Sequence, residues 1–271
     1  DGTVTVGASK TGAAGAGAAG LVLMFEHGRR PDRAAIVEAL ECFPRASISF
    51  DPANADTSHH VAAELSQASR DTDWLELLLD GLTFDLRGLA PGPAMVAPEV
   101  AYRFSCDVDC LADAEAVSLR PGPHIAAGAH SLPVMRTLLA LGGELAARLP
   151  DVRVVCWPPA RTAIAPKFFT GTVEAWIAGG AFPALGMLGV YAGPGGHLRT
   201  EGLGFFIGCE LALASSLSQD RAAATRLVVR IVQELVGYEL PVEPLRFVIE
   251  GGAELEMVPD LAAGVIRIDP V

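Results

Sequence analysis

The residues of this 271-residue chain best suited to holding an anion fall in one stretch and one neighbouring segment. Residues 156–169, CWPPARTAIAPKFF, bring together Trp157, Arg161 and Lys167 around two consecutive prolines, and Lys167 is one of only two lysines, the other being Lys10. An irregular Pro-rich stretch that follows a strand is where loops carry binding groups. Arg199 and Glu201, in LRTEGLGFF, add a second guanidinium and a carboxylate. Cationic side chains bond carboxylate and phosphate oxygens through charge-assisted hydrogen bonds. Trp157, Arg161, Lys167, Arg199 and Glu201 are therefore the candidate binding residues for a small polar or anionic molecule. The competing reading is structural, a plain crossover with Trp157 in the core.

Other spacings fail on context. Residues 15–20, GAGAAG, match G-x-G-x-x-G, but that phosphate loop needs a strand before it, a helix opening at it and an acidic residue at a following strand end. Here the strand-like LVLMFE follows the glycines, and Glu38 and Glu41 fall on a helix, so no cofactor is expected. Residues 7–12, GASKTG, lack the G-K-[ST] order of a phosphate loop. Residues 106–110, CDVDC, place two thiols and two carboxylates together, yet a zinc site needs a further ligand pair that the flanking residues do not offer. An exposed connector is the expectation, with no metal; metal binding through Cys106 and Cys110 is a third class, open to metal analysis. His59 and His60 are adjacent and would point about 100° apart on a helix, a poor chelating pair. No G-x-S-x-G elbow is present. Cys156 or Cys209 with His124, His130 or His197 would need partners brought together in space, and buried structural thiols are the preferred reading. Glu254 and Glu256 share one strand face, as on a solvated edge.

The elements that must position these groups follow from periodicity. Residues 1–20 are a Gly/Ala-rich segment read as a flexible tail, in which TVTV could be caught as an edge strand. LVLMFE reads as a buried strand, and a helix follows with Asp32 as N-cap and Ile36, Leu40 and Phe43 on one face. RASISFDP returns as a strand, TSHHVAAELSQASR as a helix, and Asp80-Gly81 as a turn between two apolar strands or a bulge within one. Further on, HIAAGAH is expected as a strand, residues 131–149 as a helix capped by Ser131, RVVCW as a strand, and TGTVEAWIAGGAF as a helix capped by Thr170. A hairpin turning at residues 193–196 follows, then a helix capped by Ser216 or Ser218 with Asp220 in its first turn. A hairpin around Gly251-Gly252 and a last strand, GVIRIDPV, close the chain.

Laid side by side, the order β-α-β-α-β-β occurs twice, with DGLTF (80–84) and EGLGF (201–205) at matching places. The expected fold is α+β: two related ferredoxin-like halves with antiparallel sheets, plus a C-terminal helix and hairpin. The expected divisions are the tail at 1–20, a first half at 21–105, a connector at 106–120 and a second half at 121–271.

Composition sets the bounds. Hydrophobic residues make up 51% and charged residues 19%, which marks a globular chain, and 6% aromatics imply an aliphatic core. A formal charge of −12 repels phosphate backbones and anionic lipid headgroups, so neither nucleic acid nor membrane is an expected partner. No apolar run reaches the roughly 18 residues of a membrane span. Five cysteines, an odd number with three in apolar runs, suit reduced thiols and a cytoplasmic location, with any segment preceding Asp1 left open.

The strand opening at His124, the VVCW strand ending in Trp157 and the segment RTEGLGFFIGCELAL resemble an uncharacterised bacterial family catalogued as a domain of unknown function in the four-thousand-two-hundreds. The resemblance covers about residues 120–236. Ile207-Gly208 stands where that family has Phe-Gly, and Ala126-Ala127-Gly128 is less bulky than its strand. The resemblance implies a cytoplasmic bacterial α+β protein and supplies no catalytic residues. The expectation is a non-catalytic protein that binds a protein partner or itself. The alternative is an enzyme acting on a small polar or anionic substrate in a cleft between the halves. A pocket with converging polar groups would favour the enzyme, and an apolar patch or free strand edge would favour the binder.

Overall fold

A computed structural model describes residues 20–54, 73–249 and 253–271. In chain order the first elements are β1 (Leu21–Phe25), α1 (Arg33–Glu41), β2 (Ala46–Phe50), β3 (Trp74–Leu79), β4 (Leu82–Arg87), β5 (Tyr102–Phe104) and β6 (Glu115–Pro121). Then come α2 (Leu132–Arg148), β7 (Val152–Trp157), β8 (Thr162–Ile164), α3 (Pro166–Ile177) and a short turn, α4 (Ala184–Met187). The chain continues through β9 (Gly189–Ala192), β10 (Leu198–Glu201), a single turn α5 (Gly204–Ile207), β11 (Glu210–Leu213) and α6 (Arg221–Leu235). It ends with β12 (Leu245–Val248), β13 (Glu254–Asp260) and β14 (Val265–Pro270).

These strands form two sheets, one of eight strands in the order β2-β3-β4-β6-β1-β7-β8-β5 and one of six in the order β12-β13-β14-β11-β10-β9. All neighbours are antiparallel except β5 with β8 and β11 with β14. The fold is thus mixed α+β with two sheets. β1 is apolar at every position because both faces of the larger sheet are covered. Leu21, Leu23 and Phe25 meet the helices in the main core, while Val22 and Met24 turn to a smaller cluster closed by Met95, Val100, Cys106 and Leu111. The main core continues into the second sheet, where Val228, Ile231, Val232 and Leu235 of α6 pack with Leu211, Leu213, Ile266 and Ile268. Burying side chains of this size is worth about 1.5–3 kcal/mol each relative to exposure.

Several expectations are corrected. HIAAGAH is not a strand: its centre is a 3-10 turn at Ala126–Gly128 leading into α2, as its small residues offer a sheet little to pack. The strand lies earlier, in β6, within residues expected as connector, and it is central to the larger sheet. That sheet combines strands from before and after residues 106–120, with β1 hydrogen-bonded between β6 and β7. DGLTF and EGLGF occupy unlike settings. The first runs from the β3–β4 turn into β4, and the second runs from the end of β10 into α5. Thr170 lies inside α3 rather than at its cap, because Pro166 starts that helix with its ring-fixed φ. The cap of α6 is Asp220, whose carboxylate accepts from Ala222 and Ala223, while Ser218 donates to the Ala214 carbonyl instead. Ser131 does stand at the N-cap of α2, without a side-chain cap bond, and Asp32 caps α1 by accepting from Ala35. Asp80 and Gly81 both take positive φ, the geometry of a tight hairpin turn. The TVTV segment, GAGAAG up to residue 19, the expected helix bearing His59 and His60, and the Gly251-Gly252 tip lie outside the described residues.

Candidate functional site

The two sheets meet where β5 and β8 of the larger one approach β9 and β10 of the smaller, and the sequence-predicted cation Arg161 lies at that junction. The 3-10 turn Pro158–Ala160 ends on Arg161 in the left-handed region, φ 50°. Its carbonyl accepts from the main chains of Ala101 and Tyr102. Its guanidinium is held at 2.5 and 2.9 Å on the two oxygens of Glu201 and at 2.7 Å on Glu99. Tyr102 donates its hydroxyl to the same Glu201 carboxylate at 2.8 Å. Two close approaches make this possible. A Cβ added at Gly189 would fall within 2.7 Å of three Tyr102 ring carbons, and one at Gly202 would fall 2.8 Å from the Ala160 Cα. The absent side chains let the ring lie on β9 and the Pro-Pro turn lie against the end of β10.

Electrostatics follow from this closure. Burial pushes the Glu201 carboxyl up, but hydrogen bonds from Arg161 and Tyr102, with the Arg161 charge, more than offset it and leave the group below its usual range. Tyr102 is pushed up to about 12, first by burial and then by its bond to the Glu201 carboxylate. The Arg161 guanidinium is held further in its charged form by its bonds to Glu201 and Glu99. All three groups are locked in the protonation states that bind one another.

The other predicted residues do not join this set. Trp157 is fully buried, its indole edge-to-face with Phe205 at 5.2 Å, as the core reading has it. Lys167 is exposed on the first turn of α3. Arg199 shares a face of β10 with Glu201, and its Nε is buried without a hydrogen-bond partner among the described residues. Neither Lys167 nor Arg199 bonds to Arg161 or Glu201. Glu99 and Tyr102 were not singled out by the sequence, since a lone Glu and Tyr in PEVAYRF carry no spacing signal. Glu210 was missed as well. It accepts the main-chain N–H groups of Gly202, Leu203 and Gly204 and the Thr200 hydroxyl, so the Gly-rich turn after β10 is filled by the protein's own carboxylate.

Thiol chemistry has no support here. Cys156 and Cys209 are buried, and burial followed by the Glu210 charge pushes the Cys209 thiol up, away from the thiolate that attacks. Among the described residues no cluster of three metal-ligating side chains occurs, and the Cys110 side chain lies outside them. Among the same residues no helix is long and apolar enough to cross a membrane.

A large apolar groove lies elsewhere. Between α6 and the edge strand β12 lies a groove of about 590 Å3, floored by Ile231, Leu235, Leu245, Phe247 and Met257 and rimmed by Arg230, Glu234 and Glu239. Tyr238, Val242, Leu245 and Val248 are 73, 78, 51 and 65% exposed and fall within eleven consecutive residues beside it. Among the described residues nothing pairs with the outer edge of β12. The signal in the sequence was PVEPLRFVI, a short strand with Leu245, Phe247 and Ile249 on one face and Arg246 and Val248 on the other. A second cavity of about 550 Å3 is bounded by His130, Phe205, Phe206 and Tyr238. None of the five predicted residues lines either cavity. No family model, curated protein or solved structure matches the chain.

Proposed function

We propose that the protein works by binding rather than by catalysis, presenting the β12 edge and its groove to a protein partner or to a second copy of itself. The observation that carries this reading is the gathering of exposed Tyr238, Val242, Leu245 and Val248 on and just before β12, whose outer edge has no partner among the described residues, beside an apolar groove. Free edges and exposed apolar patches are surfaces that proteins normally cover, and strand addition is a common way to use them. An enzyme acting at Arg161 and Glu201 would need those groups free for substrate, whereas each is engaged by the other.

The test compares wild type with a Leu245→Lys, Val248→Lys double variant, both checked for native circular dichroism. Light scattering reports association, and 8-anilinonaphthalene-1-sulfonate fluorescence reports an open apolar groove. Wild type should associate or brighten the dye, and the variant should do neither. A wild-type protein that stays monomeric and leaves the dye dark refutes the reading.

A further inference from the structure

Resting on that reading, we infer that the occupant of the β12 edge is a second copy of this chain, paired antiparallel through β12 about a two-fold axis at Phe247. The hydrogen-bonding directions select this register. Ile249 donates its main-chain N–H to the Ala253 carbonyl, so in the β12–β13 hairpin the main chains of Leu245, Phe247 and Ile249 face β13. The N–H and C=O groups of Arg246 and Val248 therefore point outward, with no partner among the described residues. A two-fold at Phe247 sets Arg246 of one copy against Val248 of the other, twice, and each pair exchanges two main-chain bonds. Phe247 then faces its own counterpart as a non-hydrogen-bonded pair, where side chains are closest, and Leu245 faces Ile249. Shifting the axis to Arg246 opposes two arginines and sets Pro244, which lacks an N–H, against Val248.

Side chains agree with the main chain. A two-fold normal to the sheet keeps its faces, so Phe247 and Leu245 of both copies lie on the α6 side and the two grooves meet across the axis as one continuous apolar surface. The outer face carries Arg246, still 3.4 Å from Glu256, together with Val248. Each copy carries a formal charge of −12, so long-range repulsion opposes approach and added salt should strengthen pairing.

Sedimentation equilibrium on the full chain, across a dilution series from sub-micromolar to sub-millimolar, should show a reversible monomer–dimer equilibrium. Val248→Lys places a lysine against each partner's Arg246 and should weaken the dimer by roughly two- to thirty-fold. The same lysine neighbours Glu254 on β13, so any effect on the monomer's own fold has the opposite sign. Phe247→Cys should form a disulfide-linked dimer under mild oxidation, since facing Cα atoms in such a pair are about 4.5 Å apart, within disulfide reach. Val248→Cys and wild type should not. A wild-type monomer at every concentration overturns the pairing, as does crosslinking at Val248→Cys in place of Phe247→Cys. A monomer that still brightens the dye sinks self-pairing alone, and a monomer that leaves it dark sinks the binding reading too.

Discussion

Replacing Gly189 by alanine tests the junction between the sheets at one methyl group. The new Cβ would lie within 2.7 Å of three Tyr102 ring carbons, against an ordinary carbon–carbon contact of about 3.5–4 Å. A ring has no flexible end to yield, so Tyr102 must slide by about 1 Å or β9 must bow. The hydroxyl then loses its 2.8 Å bond to Glu201. Overpacking costs about 1–3 kcal/mol and a hydrogen bond to a charged acceptor about 1.5–3 kcal/mol, and since both are lost through one movement we expect a combined loss of about 2–4 kcal/mol. The assay is urea unfolding of wild type, Gly189→Ala, Tyr102→Ala and the double variant. With the ring gone, Gly189→Ala should become harmless or stabilise by about 0.4–1 kcal/mol through the unfolded chain. The reasoning is refuted if Gly189→Ala costs as much in the Tyr102→Ala background as in wild type, or costs nothing in wild type.

Glu210→Ala strips three main-chain N–H groups and a hydroxyl of their acceptor and should destabilise by about 3 kcal/mol, read as a lower urea midpoint at unchanged slope. Glu201 is depressed in the fold, so its contribution is present above the ordinary glutamate value of 4.5 and is lost as pH falls through the lower folded value. Melting temperature followed into acid should therefore fall less steeply in Glu201→Gln. It will not be flat, because Glu115, held low chiefly by the Arg30 hydrogen bond, and Asp220, held low by main-chain N–H groups, titrate on the same limb. Tyr102 is raised, so its contribution is complete below pH 10 and is lost between there and about 12. Tyr102→Phe should remove that alkaline decline, and an unchanged decline would show that another group carries it.

Much of the secondary structure was legible because periodicity and turn chemistry are local. Asp32, the Asp80-Gly81 turn and the apolar stripe of α6 each declare themselves within a few residues. What was not legible depended on distance along the chain. The strand β6 follows the acid-rich CDVDCLADAE, whose charges resemble a connector until β1 and β4 flank it and bury Val117 and Leu119. HIAAGAH has strand-like alternation but small side chains, and its place was decided by the start of α2. At the junction, Arg161 and Glu201 could be named from type and setting alone. Glu99 and Tyr102 were invisible, since their role is fixed by sheets meeting across most of the chain. The groove was hidden for the same reason, as an edge strand is an edge only once every other strand has found its partners.

The placing of β1 bears on how the chain is made. Leu21 is seated against Leu119 on one side, and Leu23 against Val155 on the other. A ribosome releases β1 long before either neighbour exists, leaving an all-apolar strand with two bare edges while the intervening segments are translated. Loop closure over such spans is slow, and exposed strands of this kind invite aggregation. Nascent chains halted before β7 should therefore need a chaperone to remain dispersed, and release from that chaperone should coincide with the emergence of residues 152–157.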